Sequence, residues 1–408
     1  MSNQVLKGVR IVDLSMGWAG PLSTRNLADL GATVIKVESC TNFDWWRSWE
    51  ATQEWIDDDG AEKALPFLYV NRNKLDITLD LESNEGRDLL LKLVASTDAV
   101  VENFSGSVLP KLRLDYSELK KANPKLIMLS MPAFGATGPW KDFRAYGSTV
   151  EQSSGLPHLV GHADQSPTMQ HIAYGDSIGG LNGTAALLIA LWHKRRTGEG
   201  QFIDLSQVEC LFPLSAPGIL SQSAAKETPA RSGHNQKIDC PHGVFPVQGE
   251  DRWIFIHIKT DKEWQIFSSL VDALSDFNDL TLVERQRMSD KLFASIADWS
   301  SQQDGQVLMK MLQQNGIAAA TLNNSDDLIE NEHFQSRGYL QWLERAFVGN
   351  QPHPSPPWRN GTEAIKIKEP APTLGQHNTE ILKDWLGLNE AELGGLEKRG
   401  IIGNKPRL

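Results

Sequence analysis

The chain reads as an α/β protein whose parallel sheet is covered by helices on both faces. Two observations carry this reading. Short apolar runs of strand length alternate with helical stretches from residue 9 to residue 205. The alternation then gives way, near residue 243, to a hairpin followed by three helical stretches, which marks a second unit. The length of 408 residues agrees, since it exceeds one ordinary domain.

The elements follow in order. Residues 9–14 (VRIVDL) form a short apolar run suited to a buried strand. Residues 15–20 (SMGWAG) are a small-residue loop, and Pro21 suits the first turn of a helix over 22–30 that ends at Gly31. A second strand is expected at 33–37, a helix over 85–95 with Leu89, Leu90 and Leu93 on one face, and strands at 99–101 and 126–131. Residues 158–176 read as loop, 177–196 as a strong helix and 202–205 as a strand. The stretch 216–242 is polar and irregular, a crossing to the next unit. Residues 243–258 predict a hairpin turned at Gly249-Glu250-Asp251, and helices follow near 261–274, 280–299 and 304–315. Pro352 to Pro357 and Pro370 to Pro372 mark rigid surface stretches.

Composition excludes several classes. The net charge of −11 repels phosphate polymers, which argues against nucleic acid as a partner but leaves room for a small anionic cofactor. The longest apolar run, residues 185–192, is far short of the roughly 20 residues that cross a bilayer, so no membrane partner is expected. No basic cap with an apolar run opens the chain, and Cys40, Cys210 and Cys240 stand apart in no metal or redox spacing. The expectation is a soluble cytoplasmic protein with reduced thiols and no metal. Of 13 tryptophans, five come early: Trp18, Trp45, Trp46, Trp49 and Trp55. They either line a cavity for an apolar or flat ligand or serve as core packing.

In an open parallel sheet, ligands bind beyond the carboxyl ends of the strands. Those ends carry 15–20, Glu38-Ser39, Glu102-Asn103-Phe104 and 132–138. Glu38 stands where a ribose-binding acid of a dinucleotide enzyme would be, but Gly17 and Gly20 miss the G-x-G-x-x-G spacing. Asp176 lies at the start of a long helix whose first turns hold Gly179, Gly180 and Gly183, residues that permit close approach of a ligand to the backbone. Two readings are open for it: an N-cap holding helix amides, or an ionised nucleophile at the positive end of the helix.

Several runs bear on that choice. They are 6–15 (LKGVRIVDLS), 19–21 (AGP), 27–38 (LADLGATVIKVE), 71–74 (NRNK), 79–81 (LDL), 101–104 (VENF) and 134–139 (FGATGP). The runs 175–177 (GDS), 196–201 (RTGEGQ), 241–245 (PHGVF) and 370–377 (PAPTLGQH) complete the series. In this order they resemble the class III coenzyme A transferases, the CaiB/BaiF and formyl-CoA transferase-like family, over nearly the whole chain. The resemblance implies a Rossmann-like large CoA-binding domain, residues 1–215 with 335–408, and a smaller α+β domain with linkers, residues 216–334. It also implies an interlocked homodimer.

The implied activity is CoA transfer from an acyl-CoA donor to a carboxylic acid acceptor, with Asp176 as the covalent nucleophile. Coenzyme A is then substrate and part of the intermediate rather than a resident cofactor. Amides of a nearby glycine-rich stretch would stabilise the oxyanion, and water would have to be kept out. CoA contacts carried over by position are Trp18, Ala19, Ser39, Leu79, Asp80, Leu81, Asn103, Phe104, Ser105, Lys111, Arg144, Ala145 and Tyr146. Lys111 and Arg144 suit the CoA phosphates, or are solvated surface cations. Asp44, Arg47 and Trp49 match a stretch near the acyl pocket, with Trp45 and Trp46 beside them.

This sequence departs from formyl-CoA transferases at Met16 and Trp18, which stand where those carry His and Gln, and at Ser39, which replaces an arginine. Their run of consecutive glycines is missing from 234–243. An apolar or larger acyl group is therefore expected rather than formate or oxalate. Acyl-CoA racemases of the same superfamily place a His where this chain has Tyr146, which disfavours that alternative. A non-catalytic CoA-binding partner subunit is the other alternative, and the presence of Asp176 argues against it. For His242 and His171 the sequence names no partner, and both read as packed or surface residues.

Overall fold

The computed structural model describes residues 4–169, 172–233 and 238–408. The chain divides into two compact units. The first holds residues up to Pro157, Met169–Glu227 and Glu332–Leu408; the second holds His158–Thr168 and Thr228–Asn331.

The first unit is built on six parallel strands: β1 (Arg10–Asp13), β2 (Thr33–Glu38), β3 (Leu75–Thr78), β4 (Ala99–Glu102), β5 (Ile127–Ser130) and β6 (Phe202–Asp204). Their order is β3-β2-β1-β4-β5-β6. Register is set by pairs such as Val12 with Ile35 and Val12 with Val100. Alternation along the strands sends Val12, Ile35, Ile77, Val100 and Met128 into one core and Ile11, Val34, Val101, Ile127 and Leu129 into another. Both faces are thus buried, as the near-continuous apolar runs predict for a parallel sheet. The Rossmann-like α/β class is the one the sequence predicted.

The helices that position the site are α1 (Ala19–Asp29), α2 (Gln53–Asp57), α3 (Leu65–Asn71), α4 (Asn84–Val94), α5 (Val108–Leu112), α6 (Tyr116–Ala122), α7 (Gly147–Ser153), α8 (Tyr174–Thr197) and α9 (Phe212–Ala225). Helix α4 follows the leucine spacing, with Leu89, Leu90 and Leu93 buried on the sheet. The C-terminal segment closes the same core with Ile381, Leu382, Leu393, Leu396 and Ile401, and the Asp80 amide donates to the Ile401 carbonyl at 2.8 Å.

Helix α8 lies against α1. A β-carbon on Gly180 would come within 2.8 Å of the Ala19 carbonyl, and one on Gly183 within 3.0 Å of Ser23 Oγ. These glycines therefore admit a neighbouring helix, not a ligand as the sequence suggested. The polar stretch expected to be irregular contains α9, a helix that continues through Pro217.

In the second unit, β7 (His242–Pro246), β8 (Trp253–His257) and β9 (Ala318–Thr321) form an antiparallel sheet. It packs with α10 (Asp261–Leu270), α11 (Leu282–Arg287), α12 (Ser289–Ser300) and α13 (Gly305–Gln314) around Trp264, Phe267, Leu292, Ile296 and Leu312. The hairpin and the helical stretches match the sequence reading, except that the helix expected over 280–299 is divided at Met288 into α11 and α12; the third strand, Ala-rich, gave no signal.

Candidate active site

The sheet order reverses direction between β1 and β4, so the crevice lies beyond the carboxyl ends of those two strands. Asn103, directly after β4, ties the loop after β1 in place with two bonds. Its Oδ1 accepts from the Met16 amide at 2.8 Å, and its Nδ2 donates to the Met16 carbonyl at 2.8 Å. Gly17 adopts φ +75°, and its amide donates to Asp44 Oδ1 at 2.9 Å. A β-carbon there would overlap the Trp45 ring, so glycine is required twice over.

Beneath this loop is a layer of buried ion pairs. Lys36 pairs with Asp44 at 2.8 Å and Lys74 with Asp13 at 2.9 Å. Arg47 reaches Glu38 at 2.9 Å, Glu62 at 3.2 Å and Asp76 at 3.7 Å. Burial would raise the Glu38 pKa, but Arg47 and Lys36 beside it hold its carboxyl well below the usual range. Burial and the neighbouring Glu38 push Asp76 well above that range. Glu38 is thus committed to Arg47 and is not a ribose-binding acid. Asp44 and Arg47 are buried and do not line the pocket, while Trp45, Trp46 and Trp49 do.

Asp176 is the third residue of α8, not its N-cap. That place belongs to Ala173, in the left-handed conformation at φ 50°, ψ 62°. The backbones of Ala19 and Gly147 lie near the Asp176 carboxylate and favour its charged form. Ala19 opens α1 and Gly147 opens α7, so two helix starts from distant parts of the chain face one carboxylate. A β-carbon on Gly147 would overlap Asp176 Oδ2 and lie 2.8 Å from its Cγ. Burial pushes the Asp176 pKa up to about 6, against the lowering effect of the Ala19 and Gly147 amides. Desolvation wins, so this carboxylate is less acidic than a helix N-terminus alone would make it. It is still mostly ionised at neutral pH.

Asp176 opens into a cavity of about 580 Å³. Trp18, Asn103, Phe104, Ala145 and Tyr146 line it, together with Met16, Trp45, Trp46 and Trp49. Ala19 is buried and reaches the site through its amide. The other positions carried over from the family lie elsewhere. Ser39 is buried and its Oγ accepts from the Asn42 amide at 2.8 Å. Leu79 is in the sheet core, Leu81 packs against it, and Asp80 Oδ1 accepts from the Glu82 amide at 3.0 Å. Ser105 lines a separate cavity of about 430 Å³ that also contains Lys141. Lys111 on α5 and Arg144 before α7 are exposed. His171 lies outside the described residues. His242 lies in β7 of the second unit.

Among the lining residues that escaped the sequence reading, three stand out. Gly147 carries no visible signal, because the need for glycine comes from a carboxylate 29 positions later. Gln207, buried with Nε2 donating to the Met131 carbonyl at 2.7 Å, comes from the loop after β6. Val150, on α7, follows from the same helix placement.

Against known proteins, the model of CoA-transferase family III matches residues 6–378. The chain belongs to CoA-transferase family III. It is 30% identical over 403 residues to the succinyl-CoA–D-citramalate CoA-transferase of Chloroflexus aurantiacus, covering 97% of this chain and 98% of that one. It is also 30% identical to the succinyl-CoA:glutarate CoA-transferase of Mus musculus, covering 98% and 91%. Among solved structures, a CAIB/BAIF family protein from Brucella suis superposes with a TM-score of 0.84 at 30% identity, covering 94% of this chain and all of that one.

As a family III CoA-transferase the protein is an enzyme whose substrates are an acyl-CoA and a carboxylate. Among the described residues no cluster of three or more His, Cys, Asp or Glu is arranged to hold a metal ion. Among the same residues no helix is long and apolar enough to cross a membrane.

Proposed function

We propose that this family III enzyme transfers CoA through a covalent aspartyl intermediate on Asp176. The observation that supports this most is a half-buried carboxylate that opens into a cavity, with the backbones of Ala19 and Gly147 beside it. An Oδ atom of Asp176 attacks the thioester carbonyl carbon, the C–S bond breaks, and CoA leaves as thiolate. The thiolate then attacks Cγ of the mixed anhydride, which releases the donor acid and leaves an aspartyl-CoA thioester. The acceptor carboxylate attacks this thioester, and the returning thiolate takes the acceptor acyl group. Asp176 is regenerated as carboxylate.

In this reading the Ala19 and Gly147 amides serve each tetrahedral step at Cγ as donors to the oxyanion that forms there. A desolvated, less acidic carboxylate is also the better nucleophile. Coenzyme A would lie along the crevice past Trp18, Asn103, Phe104 and Tyr146, with its phosphates toward Lys111 and Arg144. The large CoA-binding domain in this reading is 1–215 with 335–408, and 216–334 is the small domain. Exposed Leu181, Ile189 and Trp192 on α8, with Leu214, Ile219 and Leu220 on α9, support a homodimer that covers them. In this reading the enzyme works in the cytoplasm.

The mechanism is tested with an acceptor carboxylate labelled with ¹⁸O. One labelled oxygen passes to Asp176 in each turnover, so the Asp176 peptide gains one ¹⁸O. An aspartate that merely shuttles protons, as in the racemase alternative, takes up no label.

A further inference from the structure

We infer that the acyl group handled at this site belongs to a monocarboxylic acid with an aromatic body, and that a second carboxylate is excluded. The inference rests on the Asp176 transferase reading and deepens it.

The rings around the nucleophile form one continuous wall. The Trp45 ring centroid lies 4.3 Å from Trp49, 5.7 Å from Tyr146 and 6.0 Å from Trp46, the last pair edge-on at 87°. Trp46 continues to Trp18 at 5.4 Å. Two of these rings are placed by the catalytic amides themselves. Trp18 is the residue before Ala19, and Tyr146 the residue before Gly147. The aromatic surface therefore begins next to the reacting carbon, where the body of an acyl group must lie.

Trp49 and Tyr146 meet edge-on at 5.6 Å yet are 70% and 59% exposed, an unusual state for large rings. A flat apolar ligand would cover both faces at the usual edge-on or offset distances. The wall also offers nothing to a second negative charge. Among the described residues lining this cavity there is no Lys, Arg or His. The cations below it, Lys36, Arg47 and Lys74, are buried and already paired with carboxylates. A dicarboxylate would bring its second charge beside Asp176 without a counter-ion, and burying an unpaired carboxylate is strongly unfavourable. In this the chain parts from relatives whose names carry succinate, glutarate or citramalate.

The test compares 3-phenylpropionyl-CoA with succinyl-CoA as donors. Intact-mass measurement of CoA carried on Asp176 reports loading, and an equimolar mixture of the two free acids competes for the loaded enzyme. The expected result is at least about tenfold preference for the phenyl acid in both arms. Trp49→Ala and Tyr146→Ala should each cut that preference severalfold, read as the ratio of phenyl acid to succinate used by the same variant. Loading with equal or better use of succinate overturns the inference and leaves the transferase reading standing. Loading by neither donor removes the transferase reading itself, and this inference with it.

Discussion

The α-carbon of Gly147 lies against the carboxylate of Asp176, so closely that a β-carbon would overlap Oδ2 and stand 2.8 Å from Cγ. This contact joins the start of α7 to the first turn of α8 and leaves an amide, not a side chain, facing the nucleophile. Gly147→Ala should therefore displace the carboxylate. The expected loss in kcat/KM is about 100-fold or more, from a displacement on the order of 1 Å. Circular dichroism and thermal melting of the variant check that the fold survives, since Gly147 has no positive φ to protect.

The pH dependence follows from burial. Only ionised Asp176 attacks a thioester, and its pKa is raised to about 6. The rate should fall with a single ionisation below about pH 6 and stay level above it. Stability runs the opposite way. The folded state holds this proton more tightly than the unfolded chain, so stability is greatest below the unfolded pKa of 3.8 and is lost as pH rises toward 6. Asp176→Asn, which carries no charge, should escape that loss and be more stable than wild type at pH 7. The gain is about 2–3 kcal/mol, measured by urea denaturation at pH 4 and pH 7.

Arg47 is buried among Glu38, Glu62 and Asp76, and its guanidinium lies over the Phe67 ring at 3.6 Å. Arg47→Met removes the charge that lets these carboxylates share a dry interior. The expected cost is about 3–5 kcal/mol, read as a lower denaturation midpoint. High salt should change this little, because the pairs are shielded from solvent.

Asn103→Ala removes both bonds to Met16 and loosens the loop that carries Trp18 and the Ala19 amide. About tenfold loss in kcat is expected, from roughly one hydrogen bond's worth of positioning. Asn103→Asp keeps the acceptor for the Met16 amide but loses the donor, so it should fall between Ala and wild type. Stopped assays of acyl-CoA consumption would rank the three proteins.

Much of this was legible in the sequence for local reasons. Strands β1 and β2 and helix α1 are apolar runs punctuated by Pro21 and Gly31, so short-range rules suffice. Strand β3 was invisible because Asp76 interrupts it, and that charge is tolerated only beside Arg47, far along the chain. Helix α9 was hidden by Pro217 and its small polar neighbours. The same limit governs the site. Asp176 stood out as a carboxylate at a helix start, but the N-cap reading failed because Ala173 takes the left-handed turn instead. What surrounds the Asp176 carboxylate comes from residues 19 and 147, a tertiary fact that no spacing rule contains.

The most direct test of the central claim is peptide mass spectrometry of wild type and Asp176→Ala after incubation with a panel of acyl-CoAs. The mechanism predicts a CoA-sized adduct on the Asp176 peptide of wild type alone, removed by hydroxylamine. Turnover with no adduct on that peptide, or an adduct that persists in Asp176→Ala, would contradict it.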